Sequence, residues 1–166
     1  GRRFLYDTNK KYDVIFSDAY SSFYSTPDHL TTQEFFTLAK ERLNNNGVFV
    51  ANVVGGLDQK PQSFALSEIK TFKSIFENSY FFAVNSPSSS GMQNLIFVGY
   101  NGNAIISFDN PVILRNKNTI ISGLLPKIIM VDELDLSVYP ILTDNYAPVD
   151  YLISREFKNI YLFDSM

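Results

Sequence analysis

The run Tyr12-Asp13-Val14-Ile15-Phe16-Ser17-Asp18 constrains this chain most: it is a short apolar segment that ends in a carboxylate. A loop follows, and Thr31-Thr32-Gln33-Glu34-Phe35-Phe36 then opens an amphipathic stretch. Val14-Ile15-Phe16 is apolar on both faces, as a central strand of a parallel sheet must be. A parallel neighbour needs a long crossover, and a helix supplies it. These two facts confine the fold to the α/β class. In open α/β sheets, ligands bind just beyond the carboxyl ends of the strands. Asp18 is therefore a site candidate from its position alone.

The rest of the pattern extends the same alternation. Residues 1–9 predict the end of a short helix, with Phe4 and Leu5 facing inward. Thr31-x-x-Glu34 has the form of a capping box, and Phe35, Ala39 and Leu43, widened by Phe36 and Leu38, make one apolar stripe. Asn44-Asn45-Asn46-Gly47 stops that helix. Residues 48–54 form a second strand, buried on both faces and broken by Gly55-Gly56. Residues 63–77 form a helix with Ala65, Ile69, Phe72 and Phe76 on one face. Strands over 80–84 and 95–100 are joined by a polar loop, so they pair antiparallel, and the last strand is expected at the sheet's edge. This gives an α/β sheet, mostly parallel with a final antiparallel strand, and helices on both faces. Beyond residue 100 the pattern weakens. Residues 105–108 suggest a strand, 120–125 a short helix, and 138–151 an ordered loop pinned by Pro140 and Pro148. The expected division is residues 1–100 as the sheet-bearing part and 101–166 as an extension packed on it.

Composition excludes several function classes. With 166 residues the chain suits one domain. A net charge of −3 and the lack of a basic tract leave no footprint for nucleic acid. Without cysteine, and with His29 as the single histidine, thiolate catalysis, disulfides and His/Cys metal sites are ruled out, and no metal is expected. No apolar run is long enough to span a bilayer. Gly1-Arg2-Arg3-Phe4-Leu5 is too short and polar for a signal peptide. A cytoplasmic location is expected, with membrane attachment of a longer parent left open. Ser88-Ser89-Ser90-Gly91 resembles a phosphate loop only in composition, because a strand rather than a helix follows it.

Four pieces together carry a family likeness: Gly1-Arg2-Arg3-Phe4-Leu5, Tyr12 through Tyr20, Pro27-x-His29-Leu30-x-Thr32-x-Glu34-Phe35-Phe36, and Asn46-Gly47-Val48. In order and spacing they resemble spermidine synthases, and more closely the spermidine-synthase-like domains found alone or fused to membrane segments. Leu142-Thr143-Asp144-Asn145-Tyr146-Ala147-Pro148-Val149-Asp150-Tyr151 is similar to a late element of the second group. The resemblance implies the C-terminal half of a Rossmann-like, methyltransferase-type sheet. It implies aminopropyl transfer from decarboxylated S-adenosylmethionine, or use of S-adenosylmethionine itself, to an amine such as putrescine. Both cofactors are expected only for an intact parent and neither for this chain alone, because the chain is expected to begin after the glycine-rich cofactor loop. By the same likeness Asp18 is catalytic, Gly1 contacts the cofactor, and Tyr20, Ser21, His29, Asp144 and Tyr146 bind substrate.

Two departures matter chemically. The family's second aspartate after this strand, the residue that acts on the attacking amine, falls on Ser21, and its later tyrosine falls near Ser88. An amine of pKa about 10 arrives as ammonium, and a positioned base is worth roughly 10²- to 10⁴-fold. Serine cannot supply that unaided. Two readings remain: a transferase domain, inactive as this fragment alone, or a non-catalytic relative acting as a ligand-binding or regulatory module. The apolar strand 14–16, left as an open sheet edge, also predicts a homo-oligomer.

Overall fold

The computed structural model describes residues 1–18 and 27–161, with side chains as far as Glu156. Helix α1 (Arg2–Asp7) leads into strand β1 (Tyr12–Ser17). Helix α2 (Gln33–Glu41), strand β2 (Leu43–Gly56) and helix α3 (Phe64–Ile75) follow. Strands β3 (Asn78–Ala83) and β4 (Met92–Tyr100) complete a sheet of order β1-β2-β4-β3. β1 and β2 are parallel, and β4 runs antiparallel to both β2 and β3. The expected α/β sheet is thus present, parallel except for its final strand. That strand lies inside the sheet, however, and not at its edge. The crossover from β2 through α3 leaves a gap one strand wide, and the β3–β4 turn folds β4 back into it. Gln93 closes that turn: its Oε1 accepts from Asn85 N and Ser86 N, and its Nε2 donates to Ser86 O at 2.9 Å.

A cluster of phenyl rings joins α2 and α3 to one face. Phe72 packs edge-on against Phe36, Phe81 and Phe97 and stacks on Phe76, with Phe49 of β2 beside it at 5.8 Å. The period-two pattern of β2 explains this, since Phe49, Ala51 and Val53 are buried while Val48, Val50, Asn52 and Val54 on the opposite face are half-buried. Gly99 lets Phe76 lie against β4, because a Cβ there would meet the ring at 2.5 Å.

Several expectations are corrected. Leu5 is buried but Phe4 is 61 % exposed, because α1 lies on the surface and turns its Leu5 side to the core. Val14 and Phe16 are 62 % and 63 % exposed: β1 is the edge of the described sheet, and no described helix covers that face. The cap of α2 is Thr32, whose Oγ1 accepts from Phe35 N, so the capping box is one residue out of register. Glu34 instead accepts from Asp144 N. Residues 105–108 are not a strand. The ring of Phe108 packs on Tyr80 and Phe82, and the outer edge of β3 is met by Ile129 N, which donates to Phe81 O at 2.8 Å.

The C-terminal part contains the short helices α4 (Pro111–Leu114) and α5 (Thr119–Ser122), the latter near its expected place. The loop expected to reach residue 151 ends at Pro148, and helix α6 (Val149–Tyr161) follows, burying Val149, Leu152 and Ile153. Among the described residues no helix is long and apolar enough to cross a membrane.

Candidate functional site

The carboxyl ends of β1, β2 and β3 lie along one rim, because these strands run the same way. Asp18 stands on this rim, directly after β1, and is exposed. Its Oδ1 accepts from Asn52 Nδ2 at 3.0 Å. Asn52 is the one polar residue in an otherwise apolar run of β2, and that interruption was the available signal for a residue the sequence reading missed. A carboxylate only accepts, so the amide must turn its NH₂ toward Asp18. Asn52 Oδ1 is thereby left buried and without a hydrogen-bond partner among the described residues. Orphaned buried acceptors are uncommon in folded proteins. Asn52 thus orients the Asp18 carboxylate.

A second group gathers around Arg2. Its guanidinium grips Asp144 through two bonds, of 2.7 and 2.5 Å, and donates to the carbonyl of His29 at 3.0 Å. Thr32 Oγ1 also donates to Asp144. The Arg2 guanidinium, with help from Thr32, holds the Asp144 carboxyl below the usual carboxylate range, and Asp144 in turn raises the Arg2 value. The late loop is therefore pinned to α1 and to the start of α2. Gln33 N donating to Leu142 O and Leu142 N donating to Thr71 Oγ1 extend the fastening. His29 is exposed, with its ring 3.5 Å from Asp28. Tyr146 is 58 % exposed, and its backbone pairs with that of Thr143. Gly1 has open space around it, beside a hollow lined by Arg2, Arg3, Tyr6 and His29. The structure thus brings Gly1, His29 and Asp144 together around Arg2. No hydrogen bond among the described residues joins them to the Asp18–Asn52 pair. Tyr20 and Ser21 lie outside the described residues.

Further along the rim, Glu156 of α6 caps α3. It accepts from Ser63 Oγ at 2.7 Å, Ala65 N at 3.2 Å and Gly56 N at 3.3 Å. Burial outweighs these bonds and raises its pKa. A carboxyl whose folded value is raised stabilises the fold fully below its unfolded value, about 4.3. That contribution is lost as pH rises through the folded value. Glu156→Gln keeps an acceptor and removes the charge. The variant is expected to melt at or above the wild type at pH 8, with the difference shrinking or reversing toward pH 5. An equal loss of melting temperature at both pH values would contradict this.

No family model matches the chain. Over 94 residues it is 35 % identical to a probable polyamine aminopropyl transferase of Bifidobacterium longum (strain NCC 2705), covering 56 % of this chain and 20 % of that one. Over 82 residues it is 35 % identical to a polyamine aminopropyltransferase of Vibrio vulnificus (strain CMCP6), covering 49 % and 25 %. A crystal structure of a probable spermidine synthase from Corynebacterium glutamicum superimposes with a TM-score of 0.67 at 22 % identity, over 86 % of this chain and 51 % of that one. At that identity the structural match establishes the fold. The chain spans a quarter or less of the curated relatives and about half of the solved structure.

Proposed function

Because this chain is spermidine-synthase-like over part of that family's length, we propose that it carries the amine-acceptor side of an aminopropyltransferase, with Asp18 holding the acceptor. The observation behind this reading is Asp18 itself: a carboxylate at a strand's carboxyl end, exposed on the rim and oriented by Asn52. The acceptor is a small cationic amine of the putrescine type. Its ammonium would donate to Asp18, and Asp18 would take the proton that must leave before nitrogen can attack. His29 and Tyr146, both exposed, and Tyr20 and Ser21, which follow Asp18 in sequence, are the remaining candidates to line the acceptor's path. We assign Asp144 to fastening the loop, since its carboxylate is committed to Arg2 and Thr32.

The donor in this reading is decarboxylated S-adenosylmethionine or a related sulfonium, used by a longer parent protein. The described residues do not fit such a group. The hollow beside Gly1 is lined by Arg2, Arg3, Tyr6 and His29 and presents no carboxylate to balance a sulfonium cation.

Titration calorimetry with putrescine tests the assignment. Binding is expected, and Asp18→Asn should weaken it by about tenfold or more, the worth of a charge-assisted hydrogen bond. An affinity unchanged by Asp18→Asn would overturn the role of Asp18. Ser21, standing where a second carboxylate is expected, favours a second reading as a non-catalytic ligand-binding or regulatory module. Aminopropyl turnover by the parent would end that alternative.

A further inference from the structure

We propose that residues 110–131, which pack beyond the outer edge of β3, form a docking surface for a bilayer with anionic lipid headgroups. Exposure is the first observation. Val112 of α4 and Ile120 of α5 are 77 % and 76 % exposed, and Leu114, Ile121 and Leu125 are exposed beside them. α4 and α5 pack against each other, so these side chains form one aliphatic patch. Single exposed aliphatics are ordinary, whereas a contiguous patch marks an interaction site. Each helix is one turn long, too short to hold itself. Asparagine caps hold them instead: Asn110 Oδ1 accepts from Val112 N, and Asn118 Oδ1 accepts from Ile120 N, both at 2.9 Å. The base is fastened to the sheet by Ile129 N donating to Phe81 O and by Lys127 Nζ donating to Val84 O. β3 and β1 are opposite edges of the sheet, so the patch lies across its full width from α1 and β1, where the chain begins.

Charge is the second observation. Between Asp109 and Asp132 the chain places three of its 14 Lys and Arg residues and none of its 17 Asp and Glu residues. The patch is therefore positive on a chain of net charge −3. Arg115 and Lys117, between α4 and α5, are exposed and enter no ion pair among the described residues. The flanking carboxylates are engaged, Asp109 by Ser107 Oγ and Asp132 by Lys73. Aliphatic side chains edged by free cations suit a lipid interface: the former enter the headgroup boundary and the latter meet phosphate. A protein partner is favoured by aromatic anchors, and residues 110–131 contain none. Nucleic acid would engage the cations and leave the aliphatics in water.

Co-sedimentation of the full 166-residue chain with sucrose-loaded vesicles tests this. Vesicles of phosphatidylcholine mixed with phosphatidylglycerol should bind it about tenfold more tightly than phosphatidylcholine alone. Arg115→Ala with Lys117→Ala should remove that preference, again about tenfold. Val112→Asp with Ile120→Asp should weaken binding to the mixed vesicles by about tenfold or more. Lys10→Ala with Lys11→Ala removes two exposed cations elsewhere and should change binding by less than about twofold. Far-UV circular dichroism and melting temperatures check that each variant folds. No binding to the mixed vesicles, equal binding to both kinds, or indifference to the patch variants would each overturn the proposal. So would a dimer in sedimentation equilibrium that Ile120→Asp dissolves, because the patch would then belong to a second copy.

Discussion

Replacing Phe72 by alanine is expected to destabilise the fold by about 3–5 kcal/mol, the range for emptying a large buried ring. Phe72 is fully buried. It touches rings from α2, β2, β3, β4 and its own helix. The space it leaves cannot close, because its walls are a hydrogen-bonded sheet on one side and two capped helices on the other. The loss is large against a total stability of about 5–15 kcal/mol. Equilibrium urea unfolding should show a lower midpoint at nearly unchanged slope. Phe4→Ala is the matched control: that ring is exposed, so its loss should stay within about 0.5 kcal/mol. Comparable losses at the two positions would mean that the core is not where the ring cluster puts it.

The second large effect is expected at Asp144. Asp144→Ala removes both bonds from Arg2 and the bond from Thr32, and it strands a guanidinium that is 22 % exposed. Part of the pair faces water, so the cost is put at about 1–3 kcal/mol, below that of a fully buried pair. Its pH dependence has a definite sign. The folded value of Asp144 is lowered, chiefly by Arg2. Its contribution is therefore present above the unfolded value, about 3.9, and is lost as pH falls through the lower folded value. Wild type should thus lose stability relative to Asp144→Asn as pH drops from about 4 toward 2. Parallel acid-unfolding curves for the two proteins would contradict the clamp. Limited proteolysis adds a local reading, since cleavage in 142–148 should rise in the variant well before global unfolding.

The α/β class and helices α2 and α3 were legible because each helix carries a clean period, and Phe35, Ala39, Phe72 and Phe76 fall on the faces where periodicity places them; strands β2 to β4 showed as apolar runs, but β2 begins at Leu43, inside the expected helix end, continues through Gly55-Gly56, and is only half-buried on one face. The place of β4 within the sheet was not legible. Spacing shows that two strands form a hairpin but not which neighbour the second one joins, and only the long β2–β4 ladder decides that. Helix α6 was not legible because Pro140 and Pro148 both carry a loop signal, although a proline just ahead of an apolar stripe also starts helices. Val14 and Phe16 read as core because their chemistry is that of core residues, and no property of β1 itself reports that its far side has no partner among the described residues. The place of Asp18 at the carboxyl end of β1 was legible from strand polarity alone. Asn52 and Arg2 were not, since each acts through a residue distant in sequence.

The way Gln93 ties off the β3–β4 turn leaves the tip beyond it with no part in holding the sheet together. Residues 87–91 sit on the same rim as Asp18, so their chemistry can drift, lengthen or specialise while the scaffold stays as it is. A change in that tip therefore alters the rim without altering the sheet beneath it.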